Sequence, residues 1–271
     1  MSIKDPGFVL PVIWPERYIK TFGTGANQPI LISGTEEKSG ITDDYVVKLN
    51  SSERMDETAC LRELLACFMA MEMEIPIVEP VITNIEDEFI STLKGKDCYE
   101  RVRKSKGINF ATRFIKNGYQ TLLPSNSLNT EQLEFAKNIF WFDLLIQNPD
   151  RTNTKPNMLT NGKEIVILDH ELAYSFIMLI GGDSEPWIIT REKWPEFSSL
   201  ILSNKLNKVV FSEAEIAEKI SKLNNDFWQS VNKYIPDNWK NEMYINKIMN
   251  HINLVQENIH SFVLHIQNIS K

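Results

Sequence analysis

Along the first fifty residues the apolar positions come in short runs, Phe8–Trp14, Ile30–Ile32 and Tyr45–Leu49, separated by Gly, Pro, Ser and Asp. Runs of that length between turn formers predict strands. The spacing changes at Glu57. From there to Glu74, Leu61, Leu64, Leu65, Phe68 and Met71 recur at helical intervals and predict a long helix. Strand-like runs return at Ile77–Ile82, Phe89–Leu93 and Phe110–Ile115, with Asn117-Gly118 as a turn. A locally basic loop lies at 94–106, and a polar connection at 119–128 leads into the second half of the chain. Leu133, Ala136, Phe140 and Leu144 restore the 3.6 period and enter Ile139–Ile146, which is apolar on all sides and predicts a buried helix stopped by Pro149. Met158-Leu159 and Ile165–Leu168 then flank Asn161-Gly162, a two-residue hairpin signal because both turn positions need positive φ. Beyond Phe176 the pattern is largely helical. Ser212–Glu215 reads as a capping box before Ile216, Ile220 and Leu223, Ile235-Pro236 as a break, and Ile245–Ile269 as one amphipathic helix.

Several polar residues sit where this pattern gives them a chemical use. In a strand, Tyr45, Val47 and Leu49 face one way, and Val46 and Lys48 the other. A lysine beside a valine suits a nucleotide cleft, with Val46 against the base and Lys48 reaching phosphate oxygens; an edge lysine that discourages aggregation is the plainer reading. Glu63 lies 15 residues later, early in the long helix. An acidic partner on a helix over the sheet is how kinases hold their phosphate-binding lysine, and a solvated helix charge is the alternative. Gly23 and Gly25 flank Thr24, in a loop that can bring backbone amides to phosphate or simply turn between strands.

The hairpin adds a second group. If Asn161 and Gly162 form the loop, Thr160 faces Lys163, Asn157 faces Val166, and Asp169 lies about 10 Å further along. Asp150, Asn157 and Asp169 then gather at the open end. Two carboxylates and an amide oxygen are hard ligands, suited to Mg²⁺ holding a nucleotide's phosphates.

At this point the chain resembles a known family. NPDRTNTKPNML followed by ILDHELAYSF is similar to the catalytic loop and metal-binding segment of HipA-like kinases, bacterial serine/threonine kinases distantly similar in fold to phosphatidylinositol kinases and typified by toxin components of toxin–antitoxin pairs. The resemblance implies Asp150 as the catalytic carboxylate and Asn157 and Asp169 as metal ligands. It implies ATP and Mg²⁺ as cofactors, a protein Ser or Thr hydroxyl as acceptor, and an antitoxin-like partner. The family's usual Asp-to-Asn spacing places Lys155 at the Asn position, so Asn153 and Asn157 both stay open as the metal-binding amide. LRELLACFMAMEMEIPIVEPVI resembles the family's helix and strand after the phosphate lysine, and Ile235-Pro236-Asp237-Asn238-Trp239 a late helix break. In this reading Arg113, Phe114 and Ile115 form the hinge that offers backbone groups to adenine. Phosphorylation of Thr21 or Thr24 would silence the enzyme. The fold expected is α+β and protein-kinase-like: a β-rich N-terminal lobe with one long helix at 1–114, and a helical C-terminal lobe with the hairpin at 115–271.

Composition narrows the picture. The chain has 271 residues, 42% hydrophobic and 24% charged, which suits a globular protein. A net charge of −7 argues against direct nucleic-acid binding. Cys60, Cys67 and Cys98 show no metal spacing and read as reduced thiols of a cytoplasmic protein. The first residues lack a signal-peptide pattern, and no run is long enough to span a membrane. Two rivals share the motifs: a small-molecule phosphotransferase, and a nucleotide-binding regulatory module without turnover (a pseudokinase), which Lys155 at the usual Asn position favours.

Overall fold

The computed structural model describes residues 2–23, 27–116, 118–178 and 183–269. Thr24, Gly25 and Asn117 therefore lie outside the described residues. The fold is mixed α and β, with strands concentrated in the N-terminal part and helices in the C-terminal part.

Five strands close a barrel in the order β1-β2-β3-β5-β4: β1 Val12–Thr21, β2 Ile30–Glu36, β3 Thr42–Lys48, β4 Pro80–Ile85 and β5 Gly107–Arg113. The pairs are antiparallel except the closing one, where β1 meets β4 in parallel at Val12 and Ile82. Closure removes the sheet edges. The interior is the alternate-residue set that period two supplies, with Ile13, Ile30, Ile32, Tyr45, Val47, Val81 and Ala111 buried together. Gly34 is needed where β2 passes β1, because a Cβ there would lie 2.7 Å from Trp14 O and from Ile13 Cγ2.

The first strand differs from expectation. It starts at Val12 and runs on through Pro15-Glu16-Arg17 to Thr21, whereas Phe8 and Leu10 leave the sheet for the helical core. Phe8 packs edge-on against Tyr234 and Phe68, at centroid distances of 4.9 and 6.2 Å, so burial decides its place. Phe89–Leu93 is not a strand either. Asp87–Thr92 forms α2, whose first turn carries Asp87 and Glu88 against the helix dipole. Phe89 and Ile90 plug the barrel end beside Val102 of α3, Tyr99–Lys104. That second helix occupies much of the segment expected to be a basic loop.

The long helix α1, Glu57–Glu72, is buried on every side rather than along one stripe. Asp56 caps it, accepting from Ala59 N at 2.7 Å. It shares one core with α4, Thr130–Leu145, and with the later helices α5 Glu213–Ser221, α6 Asn225–Tyr234, α7 Glu242–Glu257 and α8 Ile259–Ile269. The expected single helix to Ile269 breaks at Asn258, whose backbone N–H and side-chain amide both return to Leu254 O and end the ladder. Between Phe176 and Ser212 the described residues hold only short 3-10 turns, at Ser175–Met178 and Pro195–Ser199. That stretch is therefore less helical than its pattern predicts.

The hairpin is present with a different register. β7 Met158–Thr160 pairs with β8 Ile165–Ile167 so that Thr160 faces Ile165 and Leu159 faces Val166. The loop has four residues, Asn161 to Glu164. Asn161 Oδ1 accepts from Lys163 N and Glu164 N, and Thr160 Oγ1 donates to Glu164 O at 2.7 Å. Of the two expected positive-φ residues only Gly162 has one, at 90°. Side-chain bonding to the backbone has outcompeted the two-residue turn. A two-residue strand, β6 Gln120-Thr121, extends this sheet within the connection expected to be irregular.

Candidate active site

Strand alternation on β3 puts Tyr45, Val47 and Leu49 inside and leaves Val46 and Lys48 on the wall of a cavity of about 610 Å³. The Lys48 side chain is 12% exposed. Its ammonium donates to Glu63 of α1, lies 2.6 Å from Asp169 Oδ1 and is 3.6 Å from Glu171 Oε2. Glu171 in turn accepts from the side-chain amide of Asn27, the first described residue after the glycine-containing loop. Three carboxylates thus surround one ammonium, with one oxygen from each within 4.8 Å of the others.

Burial pushes Glu63 up to about 7 despite the adjacent Lys48 charge. Burial also raises Asp169, but the Lys48 charge and hydrogen bond outweigh it and hold Asp169 below the usual carboxylate value. Desolvation works against the Lys48 charge, and the attraction of Asp169, Glu63 and Glu171 exceeds it, so the lysine stays protonated.

The corrected register brings the loop groups in. Leu168, not Val166, lies opposite Asn157 and donates to its carbonyl at 3.1 Å. Asp169 follows by one residue rather than three. Both Asn157 and Asp169 have left-handed backbones, with φ of 47° and 64°. Asn157 Nδ2 donates to Asp150 Oδ2 at 3.3 Å. Asn153 is exposed and does not line the cavity, so of the two candidate amides it is Asn157 that lies beside Asp150. Lys155 Nζ lies 3.1 and 3.5 Å from the two Asp150 oxygens.

Beneath the loop is a buried knot that the sequence pattern did not single out. Arg151 is fully buried and pairs with Asp143 of α4, Nε to Oδ2 at 2.7 Å and Nη2 to Oδ1 at 3.2 Å. Its other donors reach Asn157 O, Leu168 O and His170 Nε2. Asn148 bonds Asp143 Oδ1 and accepts from Asp150 N at 3.3 Å. His170 sits far below its usual pKa, through burial and then the charges of Arg151 and Lys48. A neutral imidazole that accepts from Arg151 on Nε2 carries its proton on Nδ1, facing Glu63 Oε2 at 4.0 Å.

Of the residues singled out, Val46, Lys48, Glu63, Arg113, Phe114, Ile115, Asn157 and Asp169 line the one cavity, and Asp150 stands beside it through Lys155 and Asn157. Gly23 is described but does not line it. Arg113 turns its guanidinium to Glu79 and Asp43, at 2.6 and 2.9 Å. Glu171, Asn27, Arg151, Asp143 and His170 were missed. Asp143 had a signal, as the single charge inside the apolar run Ile139–Ile146.

The donor set fits a hard divalent cation. Asp169 and Glu171 offer carboxylate oxygens, and no protein donor among the described residues reaches Asn157 Oδ1. Three carboxylates against one lysine leave negative charge for such an ion to balance. Apolar Val46, Val78, Phe110 and Met158 supply the wall that a flat base would meet.

A family model described as HipA-like kinase matches residues 17–268. The crystal structure of the Helicobacter pylori proinflammatory kinase CtkA has the same fold, with a TM-score of 0.51 at 13% identity over 94% of this chain and 96% of that one. No curated protein matches the chain.

Proposed function

We propose, from the premise that this chain belongs to the HipA-like kinase family, that it transfers the γ-phosphoryl group of ATP to a Ser or Thr hydroxyl of a protein. The observation that carries the proposal is Lys48 held by Glu63 and Asp169 on the wall of the cavity that Asn157 also lines, with Asp150 beside it. In this reading the barrel and α1 form one lobe, roughly 1–114, and the hairpin and helices form the other, 115–271. The segment Arg113–Ile115 is the hinge beside adenine, and the assignment of Gly23, Thr24 and Gly25 to the phosphates rests on the sequence resemblance. The toxin–antitoxin role and the antitoxin-like partner rest on the family resemblance, and a cytoplasmic location on the three free, buried thiols. Among the described residues no helix is long and apolar enough to cross a membrane.

The chemistry divides among residues. Lys48 binds phosphate oxygens, and Glu63 fixes the lysine. Asp150 accepts a hydrogen bond from the incoming hydroxyl and orients it. Asn157 and Asp169 would hold Mg²⁺, which supplies positive charge to the phosphates when bound. The Arg151 knot positions the loop through Asp143, Asn148 and the Asn157 carbonyl.

Two substitutions test the assignment. Asp150→Asn is expected to keep Mg-ATP affinity and to lose transfer by about 10²–10⁴-fold, the usual contribution of a positioned base. Asp169→Asn is expected to lose transfer and also the Mg²⁺-dependent part of nucleotide affinity, read by calorimetry with a non-hydrolysable ATP analogue. Unchanged transfer in both variants overturns the site. Labelled ATP appearing on a small hydroxyl compound instead of protein would favour the small-molecule reading. Binding without any transfer by the wild type would favour the pseudokinase, the reading that the Lys155–Asp150 ion pair supports.

A further inference from the structure

The cavity wall holds three cationic residues: Lys48, Arg113 and Lys155. Lys48 is committed to Glu63 and Asp169, and Arg113 to Glu79 and Asp43. Lys155 differs. Among the described residues its ammonium bonds only Asp150, and its side chain is 44% exposed. Three N–H donors on one ammonium exceed what one carboxylate needs.

The backbone holds this lysine in place. Thr152 N donates to Lys155 O at 2.9 Å, Lys155 N donates to Thr152 Oγ1 at 3.3 Å, and Pro156 restricts the residue before it. The turn sets the side chain over Asp150 on the side of Asn157. Lys48 bonds Asp169 and Lys155 bonds Asp150, so the two ammonium groups hold different members of the Asp150, Asn157 and Asp169 group. A triphosphate entering a site rich in carboxylates needs cations at both ends of the bond that breaks.

We propose that Lys155 is a catalytic residue that bridges Asp150 and the γ-phosphate, supplying to the departing phosphoryl group a positive charge that Lys48 does not deliver there. The inference rests on the kinase reading above. In the step, the bond from the γ-phosphorus to the ADP oxygen breaks and a bond to the acceptor oxygen forms. The acceptor's proton passes to the Asp150 carboxylate, and Lys155 forms no covalent bond. The residue whose type favours a silent module is, on this account, part of the machinery.

The experiment compares wild type with Lys155→Met, Lys155→Arg and Lys155→Asn. Calorimetry with ADP and with a non-hydrolysable ATP analogue is run beside transfer from labelled ATP to protein. Lys155→Met is expected to lower kcat by about 10²-fold, as removal of one charge-stabilising donor does. It is also expected to weaken the ATP analogue while leaving ADP affinity within about twofold, because the contact is to the γ-phosphate alone. Lys155→Arg keeps the charge and is expected to recover most of the loss, and Lys155→Asn is not. A purely structural role would shift ADP and ATP affinity together and lower the melting temperature. Transfer by the Met variant equal to wild type overturns the inference and leaves the kinase reading standing. Faster transfer overturns it too, by showing that Lys155 obstructs Asp150. No transfer by the wild type overturns the kinase reading, and the inference with it.

Discussion

Two buried cationic centres lie close together in this protein, and their charge balance is opposite. At Arg151 one guanidinium meets one carboxylate, Asp143, and its remaining donors reach carbonyls and a neutral imidazole. At Lys48 one ammonium meets three carboxylates. A centre whose charges balance one to one is built for stability and position. A centre with surplus negative charge has room for a further cation, which makes it the candidate site for chemistry.

The contrast can be broken most severely at Arg151. Arg151→Ala leaves Asp143 buried and unpaired, and is expected to cost about 3–5 kcal/mol in urea unfolding. A loss below about 1 kcal/mol would mean that the knot is not what holds the loop. Replacing both members, Asp143→Leu with Arg151→Met, is expected to regain much of the loss in stability but none of the transfer, since nothing then fixes Asn157 and His170.

Acid gives the next largest effect. The knot is balanced only while His170 is neutral, and a second buried imidazole, His251, stacks on Phe176 at 3.8 Å and reaches Leu145 O at 2.8 Å. Burial lowers His251 from 6.5 to about 4. The folded state therefore binds these protons less tightly than the unfolded chain. Stability is fully present above about pH 6.5 and is lost as pH falls toward 4, with up to about 3 kcal/mol from His251. Glu63, raised to about 7, contributes the opposite slope in the same window, so the histidine share is read as the difference between wild type and His251→Gln in unfolding followed from pH 7.5 to 4.5. His251→Gln should remove its share and leave that of His170; an unchanged slope would assign the acid sensitivity elsewhere.

The smallest effect is expected at the surplus charge. Glu171→Gln removes one of three carboxylates around Lys48 and keeps an oxygen for Asn27. Folding stability should hold or rise by up to about 1 kcal/mol, a shift of a few degrees in melting temperature. A clear loss would show that the Lys48 cluster is balanced as it stands, and the contrast with Arg151 would disappear.

Much of this was legible where a local rule governed. Period-two alternation placed Val46 and Lys48 on the cavity wall, and helical spacing carried Glu63 to the same wall. The closed barrel was not legible, because β1 passes through the polar stretch Pro15-Glu16-Arg17. The hairpin was legible in existence and not in register, since Thr160 and Asn161 bond the turn backbone through their side chains. Arg151, His170 and Glu171 acquire meaning only from partners on other elements. Neither a motif nor a periodicity describes a guanidinium shared by a helix end, a loop carbonyl and an imidazole.

The Arg151 knot and the Lys48 cluster also differ in the length of chain that each closes. Its side-chain bonds to Asp143 and His170 close segments of 8 and 19 residues, whereas the contact of Lys48 with Asp169 closes one of 121. Loop closure across the longer span costs about 2 kcal/mol more in chain entropy, and contacts of that range form late. The Asp150 loop can therefore set while the chain is still collapsing. The Lys48 cluster forms only when barrel, α1 and the segment after β8 have met. A partly folded chain can hold the Asp150 loop and still lack the Lys48 cluster, so the cavity is complete only in the finished fold.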